Sequence, residues 1–484
     1  MELRMATLYW HDYETSGVDP ARDRPLQFAG VRTDENLELI GTPLRLHCQP
    51  DPDLLPQPAA CLLTGITPQK AAREGVAEPE FAARLVAELG VPGTCGVGYN
   101  SLRFDDEFTR FLLYRNFYDP YEREWRGGNS RWDIIDMLRL ARALRPEGIN
   151  WPDRDDGNPS FRLEDLAAAN GIVHDNAHDA LADVLATIAL ARRVRERQPD
   201  LYRYVYEHRH KHQLLPLLDP ARRRPVLHVS GRLPREHGYT ALVLPLARQP
   251  GNANAVICFD LLGDADALIA LDAEAIRARV FTPAGDLAEG IQRLPLKAIH
   301  LNRCPVVATP KLLDANAARR LGIDLERCEA NWHKLLAVDL SAKLAQVFAT
   351  RAMPAPADAE TALYAGFLPD DERGLLSEVR AGRGAELDPA RLAFRDPRYR
   401  ELLFRYRARH FPETLTPGEQ ETWRDFCRWR LTDPASGYLG LRAFRAELAR
   451  LEQQPADPAR RALLAELQAW GATVAGRHGL GDAG

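Results

Sequence analysis

Short apolar runs alternate with helix-patterned stretches through residues 1–198. Residues 7–10 form an apolar run, 27–32 and 38–48 read as extended chain, and 80–89 carry helical spacing. A further short strand is predicted at 97–100, followed by helices over 105–116, 131–144 and 179–195, the last rich in Ala and Leu. This pattern predicts an α/β domain over residues 1–198. Past Gln198-Pro199-Asp200 the runs at 226–229, 241–246, 255–261 and 298–301 are short, β-rich and separated by Gly, Pro and Asn, which predicts a small β-barrel-like domain over 199–352. From about Pro354 the chain turns rich in Arg, Glu, Ala and Leu, with amphipathic helices and no good strand, so a helical domain is expected over 355–480. Residues 352–358, Ala-Met-Pro-Ala-Pro-Ala-Asp, read as the linker, because alternating prolines keep the backbone extended.

Composition changes this picture little. Hydrophobic residues at 45% and charged residues at 27% are ordinary for a globular protein. No apolar run of about eighteen residues occurs, and the start Met-Glu-Leu-Arg-Met has no signal-peptide pattern, so neither membrane insertion nor export is expected. Seven cysteines are scattered singly without a CxxC pair, which fits a reducing cytoplasm. A net charge of −5 argues against a protein that coats nucleic acid by bulk charge, so any nucleic acid is expected to be held by local patches.

Three acidic motifs carry the candidate chemistry. In His11-Asp12-Tyr13-Glu14 the two acids are spaced to share one face of a strand. Such a pair is either a solvated strand end or a seat for a hard divalent cation, magnesium or manganese. In Phe104-Asp105-Asp106-Glu107 a strand gives way to a helix; capping and the helix dipole explain Asp106 and Glu107, whereas burial of Phe104 is expected to hold Asp105 toward the strand ends. In His178-Asp179-Ala-Leu-Ala-Asp183 the first acid is expected to cap a helix and the second to face the metal, with His178 at the helix start.

The joint order Asp-x-Glu, Asp, His-x4-Asp resembles the DEDDh exonucleases. Asp23-Arg-Pro-Leu-Gln-Phe-Ala, Leu63-Thr-Gly-Ile-Thr-Pro68, Gly98-Tyr-Asn, Tyr114-Arg-Asn-Phe-Tyr-Asp-Pro120, residues 143–152, His228-Val-Ser-Gly231 and residues 402–409 extend the resemblance to the bacterial exodeoxyribonuclease I family over nearly the whole chain. Ser16 departs from the aromatic residue expected in that family, although other DEDDh members carry a small hydroxyl there.

The resemblance implies an RNase H-like DEDDh exonuclease domain, then an SH3-like β-barrel domain and a C-terminal helical domain. It implies a processive 3′ to 5′ exonuclease that degrades single-stranded DNA to nucleoside 5′-monophosphates in repair and recombination. Two magnesium ions, replaceable by manganese, would be held by Asp12, Glu14, Asp105 and Asp183, with Asp105 acting through water and His178 as general base. The 3′ end would lie beside Glu14 and the loop 63–67. Arg110, Tyr121, Trp125, Arg139 and Arg162 would line the DNA path, although Tyr121 and Trp125 could equally be core and Arg139 a solvated helix residue. The acidic tail of single-strand DNA-binding protein would dock on Arg145, Tyr204, Arg224 and Arg320, and the chain would act as a monomer.

Two further basic stretches mix cations with aromatics, at 203–224 and at 398–409, and suit a single-strand groove; the alternative for the second is an amphipathic helix with aromatics in the core. Rival readings are an RNA 3′ exonuclease of the same superfamily and a non-catalytic single-strand-binding adaptor. A binding protein has no use for mutually repelling acids, which disfavours the adaptor. No P-loop GxxxxGK[ST] occurs, which disfavours an ATP-driven helicase.

Overall fold

The computed structural model describes residues 6–174, 179–349, 356, 358–455 and 457–481. The chain divides into two compact units, one made of Met1–Asn129, Asp175–Leu185 and Pro354–Gly484, the other of Ser130–His174 and Ala186–Met353. Residues of the expected first and third domains thus share one unit. The expected linker mostly lies outside the described residues, but its last member, Asp358, is buried and ion-paired.

In the first unit, strands β1 (Thr7–Thr15), β2 (Pro25–Thr33), β3 (Leu39–His47) and β4 (Thr94–Gly98) lie in the order β3-β2-β1-β4. β1 pairs antiparallel with β2 and parallel with β4, which places it centrally. It runs well past the apolar stretch at 7–10, so Asp12 and Glu14 sit within the strand and not after it. Tyr13, Phe28, Phe81, Leu85 and Leu112 form the core on one face of the sheet.

The first unit also holds a knot of ten ionised side chains, each with its side chain almost wholly removed from water. Arg24 and Arg115 face Asp51, Asp53 and Glu78 from the nuclease region; Arg405, Arg409 and Arg430 face Asp358 and Glu360 from the C-terminal region. The first set carries two cations and three anions and the second three cations and two anions, so neither balances alone and together they do. Pairs such as Arg24–Glu360 at 2.5 Å, Arg409–Asp53 at 2.8 Å and Arg430–Asp53 at 2.6 Å close the gap. Full pairing is what makes such burial tolerable.

This corrects the groove reading of residues 398–409. On the helix Pro397–His410, Arg405 and Arg409 belong to the knot, Arg407 pairs with Glu419 at 2.6 Å, and Tyr399 and Tyr406 are core. The charges of Arg405, Arg407 and Arg409 are neutralised by carboxylates, so these three are not open to a phosphate chain; Arg398 pairs with Asp396 at 2.6 Å, and Arg400 is exposed.

In the second unit, Ser130–Asp133 is a strand, β5, and the helix starts only at Ile135, running to Leu144. A helix from Arg131 was expected; instead the Asp133 carboxylate at the end of β5 accepts the Ile135 N–H at 3.1 Å, a local turn that separates strand from helix. Strands β6 (Val226–Val229), β7 (Thr240–Arg248), β8 (Ala255–Asp260), β9 (Leu296–His300) and β10 (Val306–Ala308) form a sheet in the order β10-β6-β7-β8-β9. His228 on β6 and Lys297 on β9 meet at 3.0 Å although two strands separate them, so the sheet curls. The β-rich expectation omitted this unit's helices. Asp264, Asp272, Asp314 and Asp324 cap four of them through the backbone N–H three residues on, a pattern legible in the chain.

Candidate metal centre and strand-binding surface

Pleating of β1 sends His11 and Tyr13 into the core, where both pack on Phe28, and turns Asp12 and Glu14 to the opposite face. Asp105, first residue of the helix Asp105–Arg115, accepts the Tyr13 N–H at 3.1 Å. That bond crosses ninety-two positions of sequence and ties the helix start to the acid-bearing strand. The expected anchor, Phe104, is only half-buried and packs on Phe108, so the backbone of β1 sets Asp105 and the neighbouring phenyl ring does not. Asp106 is likewise more than a cap: it is buried and ion-paired with Arg123.

The third motif is fastened by residues absent from the sequence argument. Gln27, opposite Glu14 on β2, accepts the Ala180 N–H at 3.2 Å, and Arg45 on β3 pairs with Asp179. Asp179 caps the helix Ala180–Arg197 by accepting the Leu181 and Ala182 N–H groups, as its position suggested. Asp183, one turn on, then reaches the acids of β1. Ligand oxygens of Asp12, Glu14 and Asp183 lie within 4.8 Å of one another. His178 lies outside the described residues.

Electrostatics explains what such a cluster lacks. Burial, and then Asp105, Asp183 and Glu14, hold the Asp12 carboxyl well above the usual carboxylate range. Glu14 is pushed up to about 8, first by burial and then by Asp183, Asp105 and Asp179. Like charges packed this closely with an oxygen-only donor set fit a hard divalent cation. The residues present therefore suit magnesium or manganese.

The candidate strand contacts fall into two groups. In the first unit Trp125 is 62% exposed and so not core, whereas Tyr121 is half-buried and packs against the core around Phe111 and Phe117. Arg110 is buried between Glu124 at 2.8 Å and Glu107 at 2.8 Å, with its cation 5.2 Å from the Tyr121 ring; its carboxylate partners leave it a positioning role for that ring. Two rings missed by the sequence argument join them: Phe367, 77% exposed, lies 5.9 Å from Tyr121, and Tyr364, 55% exposed, bonds to Arg110 and Glu107. Their signal was the Tyr-Ala-Gly-Phe run at 364–367, aromatic residues in a segment with no amphipathic period.

In the second unit Arg139 pairs with Asp136 at 2.5 Å and lies over Phe161 and Tyr239, with Gly231 leaving room for its guanidinium, so it is not a solvated helix residue. Arg162 is exposed and pairs with Glu164 at 2.5 Å. Of the candidate partner contacts, Arg145 and Arg320 both donate to carbonyls at the end of the helix Ile135–Leu144, Tyr204 donates to the Val307 carbonyl at 3.1 Å, and Arg224 is exposed.

Comparison with known proteins decides the family. Residues 9–191 match the Exonuclease family model, 209–350 the Exonuclease I SH3-like domain and 357–474 the Exonuclease I C-terminal domain. Exodeoxyribonuclease I of Haemophilus influenzae is 45% identical over 97% of this chain and 99% of its own length. The chain belongs to the exodeoxyribonuclease I family. Membership brings the class of metal-dependent exonucleases and the succession of exonuclease, SH3-like and C-terminal domains. The solved exonuclease I of Methylocaldum szegediense superposes with a TM-score of 0.93 at 50% identity, covering 97% of this chain and 99% of that one. Escherichia coli exonuclease I in complex with a dA16 oligonucleotide gives 0.91 at 45%, covering 97% and 100%, and a solved SSB/Exonuclease I structure with an inhibitor gives 0.88 at 43%, covering 97% and 100%. No helix among the described residues is long and apolar enough to cross a membrane.

Proposed function

We propose that this chain removes nucleoside 5′-monophosphates successively from the 3′ end of single-stranded DNA, by hydrolysis assisted by two magnesium ions, in DNA repair and recombination. The convergence of Asp12, Glu14 and Asp183, with Asp105 bonded to the strand between the first two, carries this reading. Four carboxylates are balanced by two divalent cations, which relieves the repulsion that raises Glu14. When bound, the ions supply charge neutralisation at the scissile phosphate and favour the ionised nucleophile. Asp12, Glu14, Asp105 and Asp183 hold and space them; the Tyr13 N–H fixes Asp105; His178 accepts the proton of the attacking water.

The end of the helix Pro58–Thr64, where Leu63 is exposed, and the turn that follows it are assigned, with Glu14, to the 3′ terminus. Trp125, Tyr121, Tyr364 and Phe367 offer rings on which bases stack, the exposed Arg162 supplies a cation for the strand, and Arg110 and Arg139, each held by a carboxylate, act on the path through the rings they lie over. Arg145, Tyr204, Arg224 and Arg320 are assigned to the acidic tail of single-strand DNA-binding protein, in keeping with the SSB complex of a relative. Residues beyond about 200 are expected to keep a monomeric enzyme on its strand between cuts.

Strands labelled at the 3′ or the 5′ end, with and without magnesium, test the reaction. Mononucleotide released first from the 3′ label, only with the metal and not by Asp183→Asn, is expected. Equal turnover by a folded Asp183→Asn protein, or release from the 5′ label first, would overturn it. A matched RNA strand in the same assay separates the RNA-degrading alternative, which relatives named oligoribonuclease raise at 28% identity over 40% of this chain.

A further inference from the structure

The first unit holds a second recess that shares no lining residue with the carboxylate centre. Its volume is about 600 Å³, within the roughly 300–1,000 Å³ of small-molecule sites. Asn116 and Tyr118 form one wall, following the helix Asp105–Arg115; Arg380 and Arg383 come from the end of the helix Arg373–Ala381 and the turn after it; Phe411 closes the helix Pro397–His410.

The two arginines differ from those of the ionic knot. Arg409 in the same wall is neutralised by Asp53 and Glu360. Arg380 donates to the Phe117 carbonyl and lies 4.3 Å from the Tyr118 ring centre; Arg383 donates to the Arg380 and Gly382 carbonyls at 3.0 and 2.8 Å. Neither guanidinium pairs with a carboxylate among the described residues. Tyr118 and Phe411 are half-buried and present ring surface. Asn116 is 2% exposed, and its Oδ1 has no hydrogen-bond partner among the described residues.

We propose that this recess is a nucleotide-binding site, taking phosphate on Arg380 and Arg383 and a base against Tyr118 and Phe411. Two guanidinium groups without a carboxylate hydrogen bond suit the doubly acceptor face of a phosphate, the Glu80 carboxylate of the same lining being taken up by Arg84, and the ring surface that Arg380 leaves open at Tyr118, together with Phe411, suits a base. Asn116 lines the same recess; its Nδ2 donates to the Leu112 carbonyl at 2.9 Å and its buried Oδ1 is left without a partner among the described residues. An acidic peptide would use the arginines and leave the rings without purpose. The site reaches beyond the carboxylate centre and stands independently of it, so it is tested with hydrolysis disabled.

The full chain carrying Asp183→Asn, in chelator, is titrated with 5′-dAMP by equilibrium dialysis. One saturable site is expected, weakened about tenfold or more by Arg380→Gln or Arg383→Gln, the worth of a charge-assisted hydrogen bond. Arg383 is exposed, so Arg383→Gln keeps the test decisive if Arg380→Gln fails to fold. A parallel arm irradiates a single strand bearing 5-iodouracil and maps the adduct. Adducts at Tyr118 or Phe411 assign the strand as the source of the nucleotide, and saturable dAMP binding without adducts assigns the free mononucleotide. Absence of both, dAMP binding indifferent to both arginine changes, or binding there of a tetra-aspartate peptide in place of the nucleotide overturns the proposal.

Discussion

Arg430→Met is expected to destabilise the protein by about 3–5 kcal/mol, the usual consequence of removing one partner from a buried ionic group. Arg430 has no exposed side-chain surface and reaches Asp53 at 2.6 Å, Asp358 at 3.2 Å and Glu360 at 3.3 Å. Methionine keeps much of the volume between Phe426 and Tyr438 but leaves the knot with one anion in excess. Against a total of about 5–15 kcal/mol the loss is large. The pH dependence gives the sharper signature. Asp53 and Glu360 are held below the usual carboxylate range chiefly by Arg409 and Arg430, and Glu78 is lowered to about 2 by Arg115 and Arg24, each against the opposing effect of burial. Groups lowered in this way stabilise the fold above their ordinary pKa, near 4.5 for Glu78, and that stability drains away as pH falls toward 2. Loss of Arg430 shrinks the depression of Asp53 and Glu360, so the variant has less to lose on acidification. Urea unfolding of both proteins from about pH 7 to about pH 3 should therefore show curves that converge. A gap below about 1 kcal/mol at neutral pH, or one that stays constant on acidification, would refute the idea that the knot is held by charge balance.

Three other outcomes are expected. Because Glu14 is raised to about 8, magnesium must displace a proton; its apparent affinity should rise with pH up to about 8 and then level, with proton uptake by buffer measured calorimetrically, and a flat profile below that pH would contradict the cluster's electrostatics. His178→Ala should keep metal and strand binding while losing roughly two to four orders of magnitude in rate, and a mutant whose rate still climbs with pH as the wild type's does would remove His178 as the base. A Cβ at Gly17 would lie 2.3 Å from the Asp23 carboxylate, whose Oδ2 accepts the Asp19 N–H, so Gly17→Ala should open the loop that follows β1 and lower both melting temperature and turnover; an unchanged melting temperature would show that the loop yields freely.

What the sequence determined by itself is the chemistry and its local geometry. Period-two alternation puts Asp12 and Glu14 on one strand face, and the helical start at Asp179 places Asp183 one turn on, because both follow from backbone geometry over a few residues. Most strands of both sheets and the helical C-terminal region were legible for the same reason; β5, expected as helix, and the three-residue β10 were not. Tertiary structure decided which charges are available. Arg405, Arg407 and Arg409 look like a nucleic-acid stripe along the chain, yet fold onto carboxylates, and Arg24 finds Glu360 across 336 positions. The Tyr13 N–H that holds Asp105, and Gln27 and Arg45 that fasten the start of the helix carrying Asp183, are likewise contacts between distant segments. Periodicity reports which face a residue occupies; charge compensation depends on what folding brings opposite that face, and no local pattern carries it.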